Sequence, residues 1–329
     1  MTDIVRAIEV KDLSIQIKTD DGVLPIVDSV SFHLMKGETL ALVGESGCGK
    51  SITSLALTKL LPSNTTLYPT GSILFNDQNL LNVSSEHLRS VRGREISYVF
   101  QEPFSALNPL HKIGSQLIEG FLLHGLGSEE EAENKAIYLL ERVGITDAKL
   151  RLNQYPNQFS GGMLQRVCIA MALMCDPKVL IADEPTSAID VTIQLQLIEL
   201  LKELRKENEM SVLFISHDIG LVSHIADRIA VMYAGKMIEQ GTVNEVIDNP
   251  KHPYTKALIA AYPSHENIGK KLVTIEGIVP SPKAYPSGCR FHTRCNDKLP
   301  VCNVSIPKAT KVSEYQSVEC FLYGGKESA

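Results

Sequence analysis

The sequence predicts an α/β protein with a mixed central sheet, antiparallel strands at its N-terminal side, an inserted helical stretch and a small irregular C-terminal extension. Three observations carry this. Leu40 to Val43 is a short apolar run that breaks at Gly44 into a glycine-rich loop followed by a helical pattern. Ahead of it, residues 7 to 34 show two-residue alternation around a turn, as half-buried strands do. After a strand-free interval, apolar runs at Val179 to Ala182 and Ser211 to Ile215 restore buried-strand character.

Taken in order, residues 7–18 read as a first strand, Asp20-Asp21-Gly22 as a turn, and residues 26–34 as a second strand. Lys36-Gly37 turns into the buried strand 40–43, and the helical positions Ile52, Leu55, Ala56 and Leu60 follow the loop. Residues 72–75 form a short strand before Asn76-Asp77, and residues 96–100 another before Gln101. Residues 104–178 are expected to be mostly helical. One helix there has a capping box, Ser128 with Glu131, then an apolar face at Ala132, Ala136, Leu139, Leu140 and Val143, and Gly144 as its stop. Asp190 opens an amphipathic helix with Ile193, Leu197, Leu200, Leu201 and Leu204 on one side, and residues 229–233 and 236–239 form a hairpin around Ala234-Gly235. Regular alternation stops near Asn249-Pro250, so residues 1–250 are taken as one domain and 251–329 as the extension.

Charge and composition narrow the function. A net charge of −6 leaves no basic stripe for a nucleic-acid partner. No apolar run is long enough to span a bilayer, and the acids near the N-terminus do not suit a signal peptide, so a cytosolic location is expected. In that reducing setting the seven cysteines are not a disulfide framework.

The chemistry begins at Gly44-Glu45-Ser46-Gly47-Cys48-Gly49-Lys50-Ser51, which fits G-x-x-x-x-G-K-[ST]. Small residues let backbone N–H groups curl around a phosphate, and the helix starting near Ile52 adds its positive end. Lys50 would reach the β/γ-phosphates and the Ser51 hydroxyl would hold Mg²⁺. The strand 179–182 delivers Asp183-Glu184 at its C-terminal end, where open α/β sheets bind ligands. Asp183 is assigned to the metal and Glu184 to the general base that polarises the attacking water. Ser160-Gly161-Gly162, Gln101 and His217 are each weak alone and gain weight from their positions around these two motifs.

The order of these motifs resembles the nucleotide-binding subunits of ATP-binding cassette (ABC) transporters, over about residues 7–250. The resemblance implies a P-loop at Gly44–Ser51 and a Q-loop glutamine at Gln101 that also approaches Mg²⁺. It implies a signature beginning Ser160-Gly161-Gly162-Met163, a D-loop ending in Asp190 and a switch histidine at His217. It also implies a head-to-tail dimer with ATP between one subunit's P-loop and the other's signature, and a helical subdomain at about 104–178 that docks a membrane partner. Three departures stand out. Residues 13–27 contain no aromatic to stack on adenine, which leaves aliphatic surface such as Val23 or Ile17; Met163 and Leu164 replace the usual polar residues; and Ile189 stands where leucine is common.

His252 to Leu258 and the later cysteine segment resemble the C-terminal extension of the peptide/nickel importer branch, nearest its D-type oligopeptide/dipeptide ATPases. Cys289-x₅-Cys295-x₆-Cys302-x₁₇-Cys320 places four thiols on an irregular segment that a metal centre would staple. Ligand type suits zinc or an iron–sulfur cluster; the resemblance implies [4Fe–4S]. The implied partners are two integral membrane permease subunits, a second, F-type ATPase subunit and an extracytoplasmic substrate-binding protein, with this chain peripheral on the cytoplasmic face. Cargo would be short peptides, with nickel or a metal–chelator complex as the alternative. A soluble ABC ATPase acting on ribosomes or DNA is the rival class; the single cassette and acidic charge oppose it.

Overall fold

The computed structural model describes residues 5–186, 191–262 and 274–324. Its described residues fall into two compact units, one from Met1–Ala7, Leu34–Glu38 and Asn82–Ile215, the other from Ile8–His33, Thr39–Leu81 and Ser216–Ala329. No helix among them is long and apolar enough to cross a membrane.

The second unit contains the N-terminal antiparallel sheet. Strands β1 (Arg6–Thr19), β2 (Gly22–Met35), β4 (Thr66–Phe75) and β5 (Gln78–Asn79) lie in the order β2-β1-β4-β5. Along β1 the buried set is Ile8 and Val10, then Leu13 and Ile15. The change of phase comes from an irregularity between Lys11 and Ser14, with Asp12 at φ 46°. The extra residue lets both halves of the strand bury their apolar side chains on the same side. Opposite it, a Cβ on Gly71 would lie 2.5 Å from the Leu13 Cα, so this bulge requires glycine there. β4 begins at Thr66, six residues before the expected Ser72, because its pairing with β1 extends to Ile17↔Thr66.

The same unit holds β3 (Thr39–Val43), all five residues buried. It runs parallel to β9 (Arg228–Tyr233), which turns at Ala234-Gly235 into antiparallel β10 (Lys236–Thr242). Both turn residues have positive φ, 47° and 78°, as a tight primed hairpin turn demands. Helix α10 (Val243–Asp248) follows β10. Beyond residue 250 the chain is irregular but not detached. Helix α11 (Pro253–Ala260) packs down, and β12 (Ser317–Val318) pairs with β10 and with β11 (Thr310–Lys311).

In the first unit, helix α2 (Ser85–Val91) comes first, and β6 (Ile96–Val99), β7 (Val179–Asp183) and β8 (Ser211–Ser216) are parallel, in the order β8-β7-β6. Between β6 and β7 the chain is helical, as expected: α3 (Pro103–Ala106), α4 (Ile113–Leu123), α5 (Glu129–Arg142), α6 (Ala148–Arg151) and α7 (Gly161–Leu173). Helix α5 starts at the anticipated box. The Ser128 hydroxyl accepts the Glu131 N–H at 3.2 Å, and the Glu131 carboxylate accepts the Ser128 N–H at 2.7 Å. Ala132, Ala136, Leu139, Leu140 and Val143 are buried, and Gly144 follows at φ 80°. Helix α8 (Val191–Glu207) buries Leu197, Ile198, Leu201 and Leu204, while Ile193 and Leu200 are half-buried.

Candidate active site

In the second unit, β3 ends at Val43 and helix α1 (Lys50–Ala56) starts after the loop 44–49. Helix α1 is shorter than the pattern through Leu60 implies, and Lys59 at φ 51° marks the chain leaving helical conformation. Two glycines are obligatory for the loop. At Gly44, φ is 154° and a Cβ would sit 2.3 Å from the Met232 carbonyl oxygen and 2.9 Å from the Cys48 sulfur. Gly49 is the residue before α1 and has φ 105°, a conformation that side chains resist.

Lys50 is buried, its ammonium donating to the carbonyls of Gly44 at 2.8 Å and Glu45 at 3.1 Å. Its charge is thus held inside the curl of the loop. Ser51, the second helical residue, is half-buried, as is Ile52. Cys48 is buried 3.9 Å from the Lys50 nitrogen, and burial raises its thiol pKa above the ordinary value despite that neighbour. Ser46 and Gly47 are exposed at the tip.

Glu45 is held by groups far from it along the chain, which no local pattern predicts. Its N–H donates to the Tyr254 hydroxyl at 2.8 Å, and its carboxylate receives both terminal nitrogens of Arg294 at 2.7 and 3.1 Å. Tyr254 lies in α11 and Arg294 between two of the late cysteines. Tyr254 packs on Tyr233 and Phe291, with ring centroids 4.7 and 5.4 Å away. Also in this unit, His217 is exposed after β8, just before Asp218 caps α9 (Ile219–Ile225) by accepting the Leu221 N–H.

In the first unit, Asp183 is buried at the end of β7 and accepts a 2.9 Å hydrogen bond from the Tyr98 hydroxyl on β6. The parallel register Tyr98↔Ile181 puts that ring beside the strand end. Glu184 has φ 45°, a conformation rare for a non-glycine residue, and its N–H donates to the Ile215 carbonyl of β8 at 3.0 Å. Such strain collects where the surrounding fold over-determines a functional position. Gln101, just past β6, donates from Nε2 to Glu184 Oε2 at 3.0 Å. The structure therefore joins Gln101 to Glu184, a pairing the sequence did not announce. Ser160 is exposed and caps α7, its hydroxyl accepting the Met163 N–H at 3.3 Å; Gly161 and Gly162 form the first turn. Asp190 lies outside the described residues.

Ser51 in the second unit, and Asp183 and Gln101 in the first, each carry a side-chain oxygen, the donor type that Mg²⁺ takes. The expectation of a metal centre at the cysteine segment finds no support in the described geometry. Cys289, Cys295, Cys302 and Cys320 are free thiols, and no group of three or more His, Cys, Asp or Glu among the described residues could hold a metal ion. Burial pushes the Cys289 thiol up to about 11, and Cys302, Cys320 and Cys295 add to the rise. Burial likewise raises Cys295 and Cys320. The four thiols thus lie within electrostatic reach of one another, but burial of Cys289, Cys295 and Cys320 favours their neutral thiols over the thiolates that ligation needs. The Cys302 sulfur accepts the Leu299 N–H at 3.4 Å.

Comparison with known proteins shows the family. Residues 27–187 match the ABC transporter family model, and residues 238–302 match the oligopeptide/dipeptide transporter C-terminal region. The dipeptide transport ATP-binding protein DppD of Bacillus subtilis is 46% identical over 317 residues, covering 96% of this chain and 95% of that protein. The oligopeptide transport ATP-binding protein OppD of the same organism is also 46% identical, covering 98% of this chain and 90% of its own length. Among solved structures, the dimeric ATP-binding cassette MJ0796 bound to ADP and Pi superposes with a TM-score of 0.65 at 26% identity, covering 72% of this chain and 98% of that one. The cbiO1 subunit from Clostridium perfringens gives 0.63 at 27% identity, covering 74% and 92%. With two relatives this similar along nearly its whole length, the chain belongs to the ABC transporter family of ATP-binding proteins.

Proposed function

We propose that this chain is the ATP-hydrolysing subunit of an importer for short peptides. The observation that carries the reading is the 46% identity to dipeptide and oligopeptide transport ATP-binding proteins, which includes the C-terminal region and not only the cassette. Nickel or a metal–chelator complex finds no support in these relatives. Uptake of a labelled dipeptide, a labelled tetrapeptide and nickel by cells with and without the gene tests the cargo. Loss of nickel uptake alone would overturn the peptide reading.

In this reading the loop Gly44–Ser51 binds the ATP phosphates, with Lys50 as the point charge against the β/γ-phosphates. Glu184 takes the proton from the attacking water, held in place by Gln101, and His217 contacts the transferred phosphate. Mg²⁺, bound by Ser51 and Asp183, would neutralise phosphate charge. Ser160, capping α7 at an exposed corner, faces the nucleotide of a second ATPase subunit, here proposed to be a paralogue of F type; Asp190 would lie at that dimer contact. Residues 1–250 act as the cassette, its segment 104–178 receives two membrane permease subunits, and 251–329 is the extension. A substrate-binding protein on the far side would deliver the peptide, placing this chain peripherally on the cytoplasmic face. Co-purification with permease subunits tests the assembly.

The iron–sulfur cluster at Cys289, Cys295, Cys302 and Cys320 stays a proposal supported by ligand type and the mutual reach of the four thiols. Iron and acid-labile sulfide assays on anaerobically purified protein decide it; neither found, or zinc alone, overturns it.

A further inference from the structure

We infer that Arg294 and Tyr254, both from the C-terminal extension, are positioning residues that hold the phosphate loop through Glu45. The inference rests on the reading of Gly44–Ser51 as that loop.

Every polar part of Glu45 is engaged. Its N–H goes to the Tyr254 hydroxyl at 2.8 Å, its carbonyl accepts the Lys50 ammonium at 3.1 Å, and its carboxylate takes the Arg294 fork at 2.7 and 3.1 Å. Arg294 is itself immobilised. Its Nε donates to the Glu276 carbonyl at 2.8 Å, and its terminal nitrogens reach the carbonyl of Ile275 at 3.2 Å and the Tyr233 hydroxyl at 3.3 Å. The Arg294 side chain is 4% exposed, against 28% for Glu45. A chain of contacts thus runs from backbone at 275–276 through Arg294 to Glu45 and on to Lys50.

The chemistry explains why an arginine stands there. Glu45 puts a negative charge into a loop that must receive a polyanion, and like charges at such range repel. A bidentate guanidinium cancels that charge and fixes its direction, which lysine cannot do. The extension needs no such pair merely to stay seated, because Tyr233, Tyr254 and Phe291 already form a cluster of rings 4.7 to 5.4 Å apart. Holding the loop in its binding shape beforehand spares nucleotide binding the cost of ordering it.

The test is titration of the purified full-length protein with fluorescent ADP, alongside steady-state ATPase kinetics. Arg294→Ala should weaken nucleotide affinity about tenfold or more, the scale of a lost charge-assisted pair, raising KM with kcat kept within about twofold. Adding Glu45→Gln to Arg294→Ala should recover most of the loss, since the unpaired carboxylate is gone. Arg294→Lys should fall between, and Tyr254→Phe, which keeps the ring packing, should weaken binding a few-fold. Wild-type affinity in Arg294→Ala, or a loss that Glu45→Gln does not recover, overturns the inference. If Arg294→Ala fails to give a cooperative thermal transition, wild-type affinity in both Arg294→Lys and Tyr254→Phe overturns it instead. Wild-type protein that binds no nucleotide, or Lys50→Ala that binds like wild type, would overturn the phosphate-loop reading itself.

Discussion

Gln101 donates a 3.0 Å hydrogen bond from Nε2 to Glu184 Oε2. One residue follows β6 and the other follows β7, and the parallel pairing of those strands brings their ends together. The bond orients the carboxylate proposed as base. Gln101→Ala should lower ATP turnover roughly tenfold, the effect of misplacing a reacting group, with nucleotide affinity changed far less. Steady-state ATPase measurements with a parallel binding titration check this; unchanged turnover would remove Gln101 from the positioning role.

The loop depends on having no side chain at Gly44. Gly44→Ala places a methyl 2.3 Å from the Met232 carbonyl oxygen at a φ of 154°, so loop or strand β9 must shift. A loss of roughly 1–3 kcal/mol in stability is expected, together with much weaker nucleotide binding. Denaturant unfolding and the fluorescent titration read the two effects separately.

Helix α5 offers a local check on the helical insertion. Ser128→Ala removes the acceptor for the Glu131 N–H and should cost about 1 kcal/mol, seen as a shift in the unfolding midpoint with ATP affinity unchanged.

His252 gives a pH signature. The ring is fully buried and burial pushes its pKa down to about 3, and its Nδ1 accepts the Tyr254 N–H at 3.0 Å, so the folded ring is neutral. Between that value and the ordinary imidazole range only the unfolded chain takes up the proton. The resulting stability is full at higher pH and is lost as pH falls from about 6.5 toward 3, at up to about 1.4 kcal/mol per unit. Glu319 works in the opposite sense: burial raises it to about 7, so its contribution is present at low pH and fades as pH rises through that value. The two offset each other in wild type. His252→Asn keeps a cap acceptor and removes the titration, so wild type minus variant stability should fall steadily on acidification. A pH-independent difference contradicts the assignment.

Local signals made much of this legible. The Ser128–Glu131 box, the stop at Gly144 and the buried run into Gly44 are short-range features whose physics is complete within a few residues. What stayed hidden depends on pairing across the chain. The bulge at Asp12 follows from the fit of β1 to β4, and the early start of β4 from the same pairing. Arg294 reaches Glu45 across 249 positions, and nothing in the alternation of either segment points to the other. Tyr98 lay in a strand that was expected, but its hydroxyl bond to Asp183 depends on strand register.

The central claim is that this chain turns over ATP with Glu184 as its base. The direct measurement is ATP hydrolysis and ATP binding by Glu184→Gln against wild type. The account predicts that the variant binds ATP at least as tightly while turnover falls by about a hundredfold or more. Near-wild-type turnover in Glu184→Gln would contradict it.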